Sequence, residues 1–160
     1  MIRVRPEGAN DAAAIRAVVA AAFGRADEAE LVDRLRADGD GAVSLVADDG
    51  DAVVGHVMLS TMTAPFRALA LAPISVVPAR QGQGIGSSLI RAAIETARAD
   101  GWQGVFVLGD QAYYNRVGFD VVAAQGFASP FAGHHFALQS FTPRTELANG
   151  AIEHAAAFFA

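Results

Sequence analysis

The chain has 160 residues, no cysteine and a formal net charge of −5. One domain of this length buries roughly two thirds of its unfolded surface, so it needs no disulfide or metal to hold a core. The missing cysteine excludes a disulfide framework, a thiolate zinc site and a cysteine nucleophile, and the acidic balance argues against a general nucleic-acid binder.

In chain order, Ile2–Arg5 alternates as a half-buried strand does. Asn10 is expected to cap a helix whose apolar positions Ile15, Val18, Val19, Ala22 and Phe23 share one face, with Gly24 at its end. Asp27 and Glu30, at capping-box spacing, open a second helix that stops near Gly39. Val43–Ala47 and Ala52–Ser60 flank Asp48-Asp49-Gly50-Asp51 as a hairpin. Thr61–Phe66 reads as a turn and Arg67–Val77 as a long strand. A third helix buries Leu89, Ile90, Ala93, Ile94 and Ala97, and Val105–Leu108 is a short strand buried on both faces. Tyr113–Val117 is predicted to be a helical turn or two, and Gly118–Val122, Phe136–Phe141 and Ile152–Phe159 to be strands, with Gln125–His135 a loop. The whole is one domain, residues 1–160, with a core over about 1–123 and C-terminal strands with a substrate-side loop over 124–160.

No apolar run approaches the ~20 residues of a membrane span. The opening Met1-Ile2-Arg3-Val4-Arg5-Pro6 has no apolar signal core, so a cytoplasmic protein is expected. All twelve basic residues are arginine and alanine is abundant, the coding bias of a GC-rich bacterial genome. His56, His134, His135 and His154 show no metal-ligand spacing, and no metal is expected.

The segment Ile74-Ser75-Val76-Val77-Pro78-Ala79-Arg80-Gln81-Gly82-Gln83-Gly84-Ile85-Gly86-Ser87 reads as strand, glycine-rich turn and helix start. Its glycines let backbone N–H groups approach an anion, and the positive end of the helix favours a phosphate there. A nucleotide triphosphatase loop needs a lysine, and the chain has none. A dinucleotide fingerprint needs Gly-x-Gly-x-x-Gly near the first strand, whereas here the spacing is Gly82-x-Gly84-x-Gly86 in mid-chain. The pattern that fits is Gln/Arg-x-x-Gly-x-Gly/Ala, with Gln81, Gly84 and Gly86 at the marked positions.

That loop resembles the coenzyme A pyrophosphate loop of the GNAT (general-control-related N-acetyltransferase) superfamily. The element order β-α-α-β-β-β-α-β-α-β is similar to the family's over most of Ile2–Ala123, and Tyr113-Tyr114-Asn115-Arg116-Val117-Gly118-Phe119 resembles its Tyr-x-x-x-Gly-Phe element. Val54-Gly55-His56, Leu108-Gly109-Asp110 and the tail look most like a bacterial branch called YhbS-like. Where many members carry Asn-x-x-Ala ahead of the tyrosine, this chain has Gly109-Asp110, so no asparagine contact carries over.

The resemblance implies an α/β fold: a mixed, mostly antiparallel, twisted sheet flanked by helices and splayed for acetyl-CoA. It implies an N-acetyltransferase that passes the acetyl group of acetyl-CoA to a primary amine of a small molecule or peptide by direct attack. Gln81, Gly82, Gln83, Gly84, Gly86 and Ser87 would meet the pyrophosphate. A bulge around Ile74, Val76 and Val77 would offer amides to the pantetheine arm and the acyl oxygen. Tyr114 would protonate the leaving thiolate, a task suited to a phenol that stays protonated at neutral pH. His56 is the candidate to relay the amine proton through water, Asp110 is the second candidate, and an amine bound neutral would need neither. Arg80, Arg91 and Arg116 are the candidates for the 3′-phosphate. The loop Phe127–His135, with Arg25–Glu30, either lines the acceptor side or covers a sheet edge. The rival function is a non-catalytic CoA-binding regulatory module. The expected partners are acetyl-CoA and an amine, with no nucleic acid and no membrane, in a monomer or homodimer.

Overall fold

The computed structural model describes residues 1–160. Strand β1 (Arg3–Pro6) is followed by helices α1 (Ala12–Phe23) and α2 (Asp27–Ala37), then by strands β2 (Gly41–Asp48), β3 (Val53–Thr61) and β4 (Ala68–Val76). Helix α3 (Ile85–Ala99), strand β5 (Gly104–Leu108) and the short helix α4 (Gln111–Arg116) come next. The C-terminal part holds β6 (Phe127–Ala128), β7 (Phe136–Ser140) and β8 (Gly150–Ala151), and it ends in a 3₁₀ turn over Ala156–Phe159. The main sheet runs β1-β2-β3-β4-β5-β7, and β6 pairs with β8 separately. Within the main sheet only β4 and β5 are parallel. This is the mixed, mostly antiparallel α/β sheet that the sequence led one to expect.

Side-chain alternation decides what each face meets. Val105 and Val107 join α3 residues Leu89, Ile90, Ala93 and Ile94 in the main core on one face. On the other face, α1 and α2 cover Val46 and Met58 with Ile15, Val19, Val32 and Leu35. Phe106, between the two valines, points away from α3 into an aromatic core closed by the C-terminal part. There it stacks on Phe136 at 5.2 Å and meets Phe127 edge-on at 5.3 Å. Gly55 lets α3 lie this close to β3, because a Cβ there would stand 2.9 Å from Leu89 Cδ1 and 3.2 Å from the Ser75 carbonyl.

Several local expectations are corrected. Helix α1 begins after Asp11 rather than at an Asn10 cap, and the Asp11 carboxylate is taken by Arg5 at 2.7 Å and by the Gly8 N–H at 2.6 Å. Asp27 lies inside α2 instead of capping it, while Glu28 accepts from Arg25. Gly118–Val122 is not a strand: Asp120 makes one bridge to Leu138, then accepts the Val122 N–H at 2.9 Å and turns the chain into a 3₁₀ turn. Ile152–Phe159 is not a strand either. Only Glu153 bridges back, to Thr63, because the buried Ala157 must reach the core under α2.

Candidate active site

Strands β4 and β5 pair only over Ala68–Leu71 and Gly104–Val107. Beyond Leu71 they part. The cause is local: Val57 faces Ile74 but Leu59 faces Leu71, so two residues of β4 oppose one of β3. The bulge therefore sits at Ala72–Pro73, not at the expected Ile74–Val77, and Pro73 has no N–H to continue a ladder. The Val77 N–H donates to the Val54 carbonyl at 2.9 Å, so Ser75 and Val77 turn their amides toward β3. By alternation Ile74 and Val76 turn theirs into the gap, where no strand meets them.

The gap runs into a cleft of about 510 Å³ at the start of α3. Its wall contains Ile74, Val76, Gln81, Gly82, Gly84, Gly86 and Ser87, seven of the residues expected to hold the cofactor. Gln81 is held in the turn by donating from Nε2 to the Val76 carbonyl at 3.0 Å. Gly82 and Gly84 have φ of 77° and 81°, which an L side chain adopts only under strain. Ser88 donates its N–H to Gly84, so the amides of Ile85, Gly86 and Ser87 precede the first intrahelical bond and remain available to an anion. Val77 and Gln83 are outside this wall: the Val77 amide is committed to β3, and Gln83 Oε1 accepts from Arg80.

Of the three candidate arginines, Arg80 and Arg116 reach the cleft and Arg91 does not. Arg80 is already paired with Asp49 at 3.0 Å. Arg116 has no carboxylate partner and lies over the Tyr113 ring at 5.7 Å. Tyr113 lines the cleft, with its hydroxyl 3.4 Å from Ser87 Oγ. No sequence signal separated it from its neighbour, because both follow the same strand–turn pattern.

Tyr114 points elsewhere, packing edge-on against Tyr113 and Phe119. Its ring fits over Gly109, where a Cβ would come within 2.4 Å of it. Burial, aided by Tyr113 and Asp110, pushes the phenol up to about 12. Asp110 is the cap of α4, its Oδ1 accepting the Ala112 N–H at 3.0 Å.

His56 is fully buried on the α1–α2 side of the sheet. Its Nε2 lies 2.8 Å from Ser44 Oγ, which donates to Glu7 at 2.7 Å, and Glu7 accepts twice from Arg36, at 3.0 and 2.8 Å. Ser44 spends its single proton on Glu7, so His56 carries its proton on Nε2 and leaves Nδ1 a bare acceptor. That Nδ1 has no partner, and neither does Ser75 Oγ on the residue directly opposite in β4. Burial drives the imidazole down to about 4, so it is neutral at pH 7. No group of three or more His, Asp or Glu side chains is placed to hold a metal ion.

The acetyltransferase (GNAT) family model matches residues 12–119, from α1 through the Gly-Phe that follows α4. The chain belongs to the GNAT acetyltransferase family. Among its GNAT relatives, the uncharacterized N-acetyltransferase YjhQ of Escherichia coli is 40% identical over 131 residues, 76% of this chain and 72% of that one. Its counterpart YhbS is 32% identical over 151 residues, 92% of this chain and 90% of that one. A GNAT acetyltransferase from Brucella melitensis, solved with acetyl-CoA, superimposes at a TM-score of 0.85 with 36% identity, covering 99% and 98% of the two chains. Escherichia coli YhbS, solved with CoA, gives a TM-score of 0.91 at 28% identity over 99% and 92%. The YhbS-like branch read from the sequence is the right one.

Proposed function

We propose that this enzyme transfers the acetyl group of acetyl-CoA to a primary amine of a small molecule or peptide by direct attack. The observation that carries the reading is the continuity of the cleft. The glycine turn and the free α3 amides suit the pyrophosphate, and Arg116 suits a further phosphate. From there the open edge of β4 leads inward, offering the Ile74 and Val76 amides to the pantetheine arm and the acyl oxygen. The crystals of the Brucella and E. coli relatives with acetyl-CoA and CoA support the same donor here.

The amine nitrogen attacks the thioester carbon, the C–N bond forms and the C–S bond breaks. Tyr114 packs against Tyr113 rather than standing in the cleft wall, and it is the phenol we assign to protonate the sulfur, since burial keeps it protonated far above neutral pH. Burial holds His56 at about 4, too low to take the amine proton at pH 7, so the amine binds neutral and its proton leaves to water, while His56 stays oriented through Ser44 by Glu7. The deciding test is release of free CoA thiol across an amine panel. Turnover with at least one amine supports the reading, whereas tight CoA binding without turnover by any amine points to a CoA-binding regulatory module.

A further inference from the structure

His56 on β3 and Ser75 on β4 stand directly opposite one another, at 0% and 2% exposure, and neither His56 Nδ1 nor Ser75 Oγ has a partner. A buried polar atom left unbonded is costly, and two of them side by side call for a reason. They are complementary: Nδ1 is an acceptor only, because the ring proton on Nε2 faces Ser44, and Ser75 carries a hydroxyl proton. Directly opposite residues have Cβ atoms about 4.5–5.5 Å apart, so rotation about the Ser75 Cα–Cβ bond brings the hydroxyl within reach of the ring. Ser75 also lies between Ile74 and Val76, the two residues whose amides face the open edge of β4. Its carbonyl points to β3, where a Cβ on Gly55 would meet it at 3.2 Å. A planar peptide holds its N–H opposite its C=O, so that carbonyl directs the Val76 amide into the gap. On this stretch β4 has β3 alone to hold it, and the bulge interrupts that ladder just before Ile74.

We propose that Ser75 is a positioning residue for acyl transfer: its hydroxyl donates to His56 Nδ1 and so holds the Ile74 and Val76 amides at the angle that the acyl oxygen and the pantetheine arm require. The proposal rests on the acetyltransferase reading for what those amides bind. With this bond the donors run one way, from Ser75 to His56, from His56 to Ser44 and from Ser44 to Glu7. Arg36 donates to the same carboxylate from the other side, at 3.0 and 2.8 Å. Bonds polarised in one direction strengthen one another, and the ionised end makes the strongest of them. The chain thus ties the open half of β4, across β3 and β2, to Arg36 in α2. His56 exchanges no proton in this role. A neutral imidazole, one nitrogen donating and the other accepting, is the form required, and burial keeps the ring neutral at pH 7.

The experiment compares the wild type with Ser75→Ala and Ser75→Thr, the second keeping a hydroxyl on a side chain suited to a strand. Nitrogen NMR of the imidazole reads Nδ1 directly, because an acceptor nitrogen that receives a hydrogen bond resonates upfield of a bare one. The wild type and Ser75→Thr should show the bonded position and Ser75→Ala the bare one. Thiol release should give a kcat ~10-fold lower in Ser75→Ala and within about twofold of wild type in Ser75→Thr. Calorimetric acetyl-CoA affinity should stay within about twofold in both, since the glycine turn is untouched. A bare Nδ1 in the wild type, an Nδ1 signal or a kcat unmoved by Ser75→Ala, or a threonine no better than the alanine would overturn the proposal. Should Ser75→Ala not fold, the wild-type spectrum decides in its place, a bonded Nδ1 sustaining the proposal and a bare one refuting it. If no amine is turned over, the acetyltransferase reading fails, and the Ile74 and Val76 amide resonances decide the anchoring separately. Exchange broadening in Ser75→Ala but not in Ser75→Thr sustains it, and sharp, unshifted amides in both refute it.

Discussion

Two adjacent tyrosines point apart because consecutive helical side chains diverge. Tyr113 reaches the cleft proposed for the cofactor, and Tyr114 is seated over Gly109. Tyr114→Phe is expected to lower kcat by ~10²-fold while acetyl-CoA affinity holds. Steady-state kinetics beside calorimetry checks this, and unchanged turnover would make Tyr114 a packing residue only. His56 gives a prediction with a definite sign. Its folded pKa of about 4 lies below its ordinary value of 6.5. Between those values the unfolded chain takes up the proton and the folded one does not, so the stability present above pH 6.5 is lost as pH falls toward 4. From pH 7 to pH 5 this costs roughly 2 kcal/mol. Urea unfolding at both values should show the loss, and His56→Gln should remove most of the difference. An equal pH effect in both proteins would mean that the imidazole is not held neutral by burial.

At the scale of elements, the glycine turn and the α3–β3 contact call for different glycines. At Gly84 a Cβ meets nothing, so the constraint there is the positive φ and the ligand's need for space. Gly84→Glu puts a carboxylate where a pyrophosphate is proposed, and CoA affinity should fall by ~10²-fold or more in a folded protein. Near-normal calorimetric affinity would remove the turn from the cofactor site. At Gly55 the constraint is packing, with Leu89 and the Ser75 carbonyl already in the way. Gly55→Ala should destabilise by about 1–3 kcal/mol through the displaced helix, read as a lower denaturation midpoint.

Taken whole, the molecule joins a sheet-and-helix core to a C-terminal segment that closes both the aromatic cluster and the α2 flank. Ala157 is buried among α1 and α2 residues, and Phe158 with Ala160 borders a hollow beside Arg25, Glu28 and Arg34. The Arg25–Glu30 stretch thus meets the chain's last residues rather than the Phe127–His135 loop. That loop itself divides, Ser129 and Pro130 lining one hollow together with Asp40 and Glu153, and His134 lining a separate one. Truncation after Ala155 should leave CoA binding within about twofold, since no cofactor-cleft residue lies in the tail, yet weaken amine-dependent turnover by ~10-fold or more. Calorimetry and thiol release on the truncated chain check the two halves separately. Equal loss of both would mean that the tail stabilises the whole sheet.

Much of the fold is legible in the sequence. The helices α1, α2 and α3 and the strands through β5 follow from periodicity, because each buries one stripe or one face that the residue pattern must mark. The glycine turn was legible as well, since positive φ and close approach to an anion restrict which residues serve there. What the tertiary structure alone decided was everything that depends on residues distant in sequence. Whether Asp11 capped a helix or paired with Arg5 turned on a competition between strand and loop. The parting of β4 from β5 came from register, which a single strand's sequence does not specify. The partly buried chain from Arg36 through Glu7 and Ser44 to His56 joins α2, the loop after β1, β2 and β3, and none of those residues carries a local signal of it. In the tail, weak alternation was overridden by the need to close two hydrophobic clusters, so the strands expected there became short bridges and 3₁₀ turns. Local pattern determines an element when the burial it needs is its own, and tertiary structure decides when the burial belongs to another part of the chain.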